Sequence, residues 1–165
     1  MNAELLPMTM DHWTMVRKIY QAGIAGGQAT FETNAPEWQQ WDAAHLMFAR
    51  IVAVVGGEVK GWAALSPVSR RDAYAGVAEV SVYVAPESQA KGLGRLLLQA
   101  LIHESEAGGV WTLQATIFPE NKPSIELHLS CGFRKVGYRE RISRLSGVWR
   151  NTILLERRST VVGFE

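Results

Sequence analysis

The chain has only one cysteine, Cys131, among its 165 residues, so no intrachain disulfide can form. This scarcity suits a reducing compartment, and we expect a cytoplasmic protein. The first residues, MNAELLPM, contain no basic segment followed by an apolar run, and no long apolar stretch occurs further along. We therefore expect neither a signal peptide nor a membrane span.

An excess of charge of one sign is also missing. The 17 Lys and Arg residues nearly balance the 16 Asp and Glu residues, and no long basic run is present, so we expect no nucleic-acid partner. The four histidines and the single cysteine show no spacing typical of metal ligands, so we expect no metal. The apolar content is ample for one core, and residues 1–165 are predicted to form a single domain.

The order of predicted elements indicates a mixed β-sheet with helices on both faces. Asn34 is predicted to cap the second helix, because Pro36 and Glu37 follow it as they do at many helix starts. The predicted helices cover residues 11–24, a segment from residue 34 onward, residues 95–107 and residues 121–131. The predicted strands cover residues 48–55, 59–65, 77–84, 110–117, 133–138 and 148–156.

The most informative segment is residues 82–101, VYVAPESQAKGLGRLLLQAL. An apolar strand end leads through a polar loop into a helix, and Gly92 and Gly94 lie where that helix begins. Glycines there let the backbone approach a ligand closely, and the positive end of the helix dipole favours a phosphate. A P-loop would require Lys and Ser or Thr directly after the second glycine, and a dinucleotide fingerprint would require a third glycine. Neither pattern is present.

The segment Gln89-Ala90-Lys91-Gly92-Leu93-Gly94 instead resembles the pyrophosphate loop of the GNAT superfamily of acyl-CoA-dependent N-acetyltransferases. Asn121 and the Gly132-Phe133 pair follow at the distance expected in that superfamily. A narrower resemblance covers nearly the whole chain. The segments ATFET at 29–33, RDAY at 71–74, AEVSVYV at 78–84 and GVWRN at 147–151 are similar to phosphinothricin and methionine sulfoximine acetyltransferases.

This resemblance implies the α/β (α+β) GNAT fold, in which a mostly antiparallel sheet is splayed at the cofactor site and has helices on both faces. It implies acetyl-CoA as co-substrate and a homodimer. The strand backbone would contact the pantetheine arm, the loop would contact the pyrophosphate, and the next helix would add polar contacts. The implied cofactor-binding residues are Val82, Tyr83, Val84, Gln89, Ala90, Lys91, Gly92, Leu93, Gly94, Arg95, Asn121 and Ser124.

The resemblance also implies the catalytic and substrate-binding residues. Acetyl transfer needs a neutral amine, and the family pattern places the general base at Glu79. His128 stands where many family members have a tyrosine that protonates the departing thiolate, and imidazole can do this near neutral pH. The implied acceptor-binding residues are Phe31, Glu32, Arg70, Arg71, Tyr74, Glu79, Val80 and Ser81.

Several of these residues also have ordinary structural interpretations. Asn121 fits a helix cap, His128 fits a hydrogen-bonded helix histidine, and the Arg70-Arg71 pair fits a solvated basic loop. The activity predicted from the resemblance is transfer of an acetyl group to the α-amino group of a small glutamate-like amino acid. Alternatives are a non-catalytic acyl-CoA sensor and an acetyltransferase for another small amine, whereas protein lysines or N-termini are disfavoured as acceptors.

Overall fold

The computed structural model describes residues 2–165, which contain one seven-stranded sheet and four α-helices. The strands are β1 (Ala3–Pro7), β2 (Ile51–Val55), β3 (Glu58–Pro67), β4 (Val77–Val84), β5 (Thr112–Ile117), β6 (Arg134–Leu145) and β7 (Val148–Arg158). The helices are α1 (Trp13–Ala25), α2 (Trp38–Ala44), α3 (Leu93–Ala107) and α4 (Lys122–Ser130).

The strand order is β1-β2-β3-β4-β5-β7-β6, and every neighbouring pair except β4 and β5 is antiparallel. The predicted fold class, a mixed and mostly antiparallel sheet, is therefore confirmed. The parallel β4–β5 pair needs a long crossover, and α3 provides it. The candidate site lies at the centre of the sheet, where β4 and β5 are neighbours.

Each face of the sheet has its own apolar cluster. Leu97, Leu98 and Leu101 of α3 are fully buried against one face, together with Leu65 and Leu155. Burying a leucine side chain contributes about 1.5–3 kcal/mol, so this cluster anchors α3 firmly.

The other face is aromatic. Trp41 and Trp62 are buried there beside Val16 of α1, and Tyr83 of β4 stacks on Trp62 with ring centroids 4.9 Å apart. A Cβ at Gly23 would come within 2.7 Å of the Tyr83 ring, so α1 can approach β4 only with glycine at that position. The packing thus points the side chain of Tyr83 into the core.

The Gly56-Gly57 hairpin is confirmed, and both glycines have positive φ, 58° and 80°. The predicted helix start at Asn34 is wrong, because α2 begins after Glu37. The backbone around residue 35 is bound to α1 instead. The Ala35 N–H donates to Gln21 Oε1 (3.0 Å), and the Pro36 carbonyl accepts from Arg17 Nε (3.1 Å).

Two strands, β1 and β6, differ from the prediction made from the sequence. The edge strand β1 is too short and too irregular in polarity to show strand periodicity. Strand β6 continues to Leu145 rather than ending near residue 138. Most of its residues are exposed, and its pairing with β7 is interrupted at two points, so its continuation RERISRL carries no alternating apolar signal.

Candidate active site

The two parallel strands β4 and β5 separate after a short contact. They are paired only at Val77 with Thr112, Ala78 with Leu113, and Glu79 with Gln114. Beyond that point both strands continue without pairing to each other. A cavity of about 290 Å³ opens there, and it is lined by residues of both strands, of α4 and of the loop after α1.

The separation leaves one edge of β4 without a strand partner. The Ala85 N–H donates to the Lys60 carbonyl of β3 (2.8 Å), so odd-numbered residues here direct their backbone groups toward β3. Alternation along a strand then directs the backbone groups of Val80, Val82 and Val84 toward the gap. In agreement, the Val84 carbonyl accepts from the side chain of Gln89 (3.3 Å). This edge can bind an extended, peptide-like ligand.

The loop before α3 presents a row of backbone donors. Among residues 2–165 the backbone N–H groups of residues 90–95 have no hydrogen-bond acceptor. The next N–H along the chain, that of Leu96, donates to the Gly92 carbonyl. Gly92 has φ +84° and Ala90 has φ +59°. Consecutive unpaired donors at the start of a 15-residue helix form a site suited to phosphate groups.

Four side chains border this loop. A Cβ at Gly94 would lie 3.3 Å from Leu127 of α4 and 3.8 Å from Val84, so little space separates α3 from its neighbours there. Lys91 donates to the Glu87 carbonyl (3.0 Å), which keeps its ammonium beside the loop, and Arg95 is exposed.

Glu79 lies at the point where the strands separate. Its Oε1 atom accepts hydrogen bonds from Gln114 Nε2 (2.9 Å) and from Thr116 Oγ1 (3.1 Å), both on β5. The two donors hold one carboxylate oxygen and orient the other. Since Glu79 also lines the cavity, the arrangement presents a fixed proton acceptor to a bound molecule.

His128 lies on the opposite wall, where α4 contributes it to the cavity lining. Its Nδ1 atom is 2.7 Å from the Ser124 carbonyl, a distance that requires the proton to be on Nδ1. Burial lowers the pKa of the His128 imidazole below its ordinary value of 6.5, although the bond to Ser124 partly opposes this shift. The neutral ring therefore carries its lone pair on Nε2. Donation from Nε2 requires the imidazolium, which burial disfavours.

Asn121 is both a cap and a cavity residue. Its Oδ1 atom accepts from the Ser124 N–H (3.3 Å) as the cap of α4, and its Nδ2 atom donates to the Gln28 carbonyl (3.0 Å). Asn121 and Ser124 both line the cavity. The helix-cap interpretation of Asn121 is thus realised, and its direct contact with a cofactor stays a prediction.

A short segment after α1 covers the cavity and is fastened by Arg150 of β7. The Arg150 guanidinium donates to the Gly27 carbonyl (3.1 Å) and to Gln28 Oε1 (2.9 Å), and it lies 4.0 Å from the centroid of the Phe118 ring. Phe31 packs edge-on against Phe118 with centroids 4.9 Å apart. These contacts close the cavity on the side away from α3.

The predicted acceptor-binding residues are not all brought together. Phe31, Glu79, Val80 and Ser81 line the cavity. Glu32 is exposed beside it. Arg70, Arg71 and Tyr74 are exposed on the loop between β3 and β4, where the Arg71 guanidinium lies 5.6 Å from the centroid of the Tyr74 ring. In the single chain these three residues stand outside the cavity.

Several cavity residues were not predicted from the sequence, chiefly Gln28, Thr116, Phe118 and Thr152. One signal was available: β5 reads TLQATI, in which polar residues alternate with buried apolar ones. Alternation puts Gln114 and Thr116 on one face of the sheet, the face that carries Glu79. Nothing in the sequence indicated that β7 would bring Thr152 to the same place.

Within residues 2–165 no group of three His, Cys, Asp or Glu side chains is arranged to hold a metal ion. No helix in this described range has the length and apolar character needed to cross a membrane.

Comparison with known proteins matches residues 13–133 to the model of the acetyltransferase (GNAT) family. The chain is 32% identical over 153 residues to phosphinothricin N-acetyltransferase of Alcaligenes faecalis, covering 89% of this chain and 78% of the relative. It is 32% identical over 126 residues to the L-methionine sulfoximine/L-methionine sulfone acetyltransferase of Pseudomonas aeruginosa, covering 76% of this chain and 69% of the relative.

The fold has close structural relatives as well. A crystal structure of a GNAT superfamily phosphinothricin acetyltransferase from Sinorhizobium meliloti in complex with acetyl-CoA superposes with a TM-score of 0.90. It shares 26% sequence identity, and the match covers 100% of this chain and 92% of the other. The predicted resemblance to this enzyme group is thereby confirmed.

Proposed function

Because the chain belongs to the acetyltransferase (GNAT) family and is an acetyltransferase, we propose that it transfers the acetyl group of acetyl-CoA to the α-amino group of a small, glutamate-like amino acid. The observation that carries the proposal is the position of Glu79. Two hydrogen bonds fix its carboxylate where β4 and β5 separate, inside a cavity that both strands line.

The chain's own groups fit acetyl-CoA. The unpaired N–H groups of residues 90–95 suit its pyrophosphate, and Lys91 and Arg95 add positive charge. The unpaired edge of β4 at Val82 and Val84 suits the amides of the pantetheine arm, while Tyr83 supports this strand through its packed ring. Asn121 and Ser124 would border the arm from α4. The bound co-substrate supplies a thioester whose carbonyl carbon an amine can attack.

Glu79 is the group we assign as general base. At neutral pH an amino acid carries an ammonium, which has no lone pair and cannot attack. The carboxylate oxygen of Glu79 that is not held by β5 can take the proton, directly or through water. No protein nucleophile is required, since the amine itself attacks the thioester.

His128 contributes less in this proposal. Protonation of the departing thiolate through Nε2 requires the imidazolium, which burial disfavours. A thiolate leaves with little proton assistance, so we expect the ring chiefly to shape the wall of the cavity. The role of general acid remains a prediction.

The most specific acceptor that we propose is an amino acid with a tetrahedral phosphorus or sulfur centre, such as phosphinothricin or methionine sulfoximine. The names of the relatives support this class. Phe31 and Phe118 supply an apolar wall for the aliphatic part of such a molecule. The basic loop with Arg70, Arg71 and Tyr74 is kept as a predicted second recognition element for its oxygens, with Glu32 at the cavity rim.

We also propose a cytoplasmic homodimer composed of single-domain chains. Exposed apolar side chains on the β6–β7 hairpin support self-association, among them Tyr138, Ile142, Val148 and Trp149. Light scattering coupled to size-exclusion chromatography would show a dimer mass; a monomer across the micromolar range would contradict this.

The deciding experiment measures release of free thiol from acetyl-CoA with a panel of amines. The panel contains phosphinothricin, methionine sulfoximine, methionine sulfone, glutamate and simple alkylamines, compared by kcat/KM. The proposal expects the first three to be preferred. A preference for alkylamines would indicate the alternative acceptor class. Tight acetyl-CoA binding by calorimetry without turnover of any amine would indicate a sensor and contradict the proposal.

A further inference from the structure

The hydroxyl of Thr152 is the feature of the cavity that the proposed reaction leaves unexplained. Thr152 belongs to β7, is 2% exposed, and lines the cavity. Within residues 2–165 its Oγ1 atom has no hydrogen-bond partner. A buried hydroxyl without a partner destabilises the folded state, so such a group requires an explanation.

Three other polar residues of the cavity wall already have partners. The Thr116 hydroxyl donates to Glu79, the Asn121 amide is bonded at both ends, and His128 Nδ1 is bonded to the Ser124 carbonyl. The Thr152 hydroxyl therefore differs from them in being free to bond a molecule that enters the cavity.

The register of the sheet places Thr152 on the acceptor side. Thr116 pairs with Leu154, and Thr152 follows two residues along β7 on the same face. That face carries Glu79, whereas the opposite face carries α3. Thr152 is level with Phe118, one step beyond the last β5–β7 pair and two strands away from β4. The edge of β4 and the loop of α3, which suit acetyl-CoA, lie on the other side of the gap.

We propose that the Thr152 hydroxyl recognises the acceptor by donating a hydrogen bond to one of its oxygen atoms. This inference rests on the proposed function. With the amine of the acceptor at Glu79, the remaining polar groups of a phosphinate or sulfone amino acid are oxygens that can only accept. The oxygen belongs either to the α-carboxylate or to the tetrahedral side-chain group. The hydrogen bond satisfies Thr152 and sets the distance between the oxygen and the attacking nitrogen.

The test compares Thr152→Val, which removes the hydroxyl and keeps the volume, with Thr152→Ser, which keeps the hydroxyl. For the best acceptor of the panel we expect Thr152→Val to lower kcat/KM about 10- to 100-fold through a raised acceptor KM. The KM for acetyl-CoA should not change, and Thr152→Ser should retain most of the activity. Because the hydroxyl lacks a protein partner, Thr152→Val should not lower the melting temperature. Thr112→Val, at the opposite end of β5, is the control.

Two further substrates identify which oxygen of the acceptor Thr152 binds. If the side-chain oxygen is bound, the penalty of Thr152→Val disappears with methionine but persists with 3-(methylsulfonyl)propylamine, which lacks the carboxylate. If the carboxylate is bound, the pattern reverses. Unchanged kcat/KM of Thr152→Val in an enzyme that acetylates amino acids would overturn this inference and leave the proposed function standing, as would a clearly lower melting temperature. A wild-type chain that binds acetyl-CoA but acetylates nothing would overturn both.

Discussion

Glu79 and Gln114 form the last residue pair that joins β4 to β5, and the Gln114 side chain donates to Glu79 Oε1 across that pair (2.9 Å). The same two residues therefore end the pairing and orient the carboxylate. The site begins where β4 and β5 separate, and its proposed base, Glu79, belongs to the last pair of residues before that point.

Replacing Glu79 by Gln should lower kcat about 10²- to 10⁴-fold, the range usual for a lost general base. The amide keeps the size of the side chain but cannot take a proton. The acidic limb of the pH–rate profile should disappear with it. Glu4→Gln, on the exposed edge strand β1, is the matched control and should leave kcat unchanged. A near-normal kcat in Glu79→Gln would remove this residue from the mechanism.

Thr116→Val should lower kcat about tenfold, because a hydrogen bond to a charged group is worth roughly 1.5–3 kcal/mol and Gln114 retains part of the orientation. The KM for acetyl-CoA should be unaffected. Combined with Glu79→Gln, the substitution should add little, since both act through one carboxylate. Additive losses in the double variant would show that Thr116 acts independently of Glu79.

Gly92→Ala should raise the KM for acetyl-CoA about tenfold or more by disturbing the unpaired backbone donors of the loop. Gly92 has φ +84°, where a side chain costs roughly 1–2 kcal/mol, although an added Cβ meets nothing within 4 Å. Gly57→Ala is a close control, because Gly57 has φ +80° and equally open surroundings in a distant hairpin. Both variants should lose similar stability. Equal KM values for acetyl-CoA would argue against the loop as the pyrophosphate site.

The buried imidazole of His128 should make stability depend on pH. Burial lowers its pKa in the folded state below 6.5, so the unfolded chain binds the proton first as the pH falls. The wild type should therefore lose stability progressively below about pH 6.5. In His128→Asn, whose amide can still bond the Ser124 carbonyl, part of this loss should be absent. Urea unfolding between pH 5 and 7.5, with exposed His103→Asn as control, measures it; parallel curves for wild type and His128→Asn would contradict the prediction.

Arg150→Met should loosen the segment that covers the cavity. The guanidinium joins β7 to Gly27 and Gln28, and its loss should speed amide exchange at residues 27–31 and raise the acceptor KM. Unfolding free energy should fall by about 1–3 kcal/mol. Arg134→Met, which removes an exposed pair with Glu156, should cost less than about 1 kcal/mol. Unchanged exchange in Arg150→Met would mean that other contacts hold the segment.

The sequence alone predicted the elements with strong local signals. Strand β4 was predicted with its observed bounds, and the Gly56-Gly57 turn and Gly92 before α3 were recognised because they mark special backbone conformations. The start of α2 was misplaced because its apparent cap is overruled by two hydrogen bonds to α1, one donated by Arg17 to the Pro36 carbonyl and one accepted by Gln21 from the Ala35 N–H. The end of β6 was missed because an exposed edge strand does not bury alternate residues.

For the candidate site, the sequence by itself determined the class of ligand and the carboxylate to consider, since a glycine-rich loop at a helix start and its resemblance to a known family are local features. The tertiary structure decided which groups meet. Glu79 accepts hydrogen bonds from two residues of β5, Arg150 holds the covering segment, and β7 places Thr152 in the cavity wall. These contacts depend on strand register and on where two strands separate. Both follow from packing between residues distant in the chain, which no local pattern records.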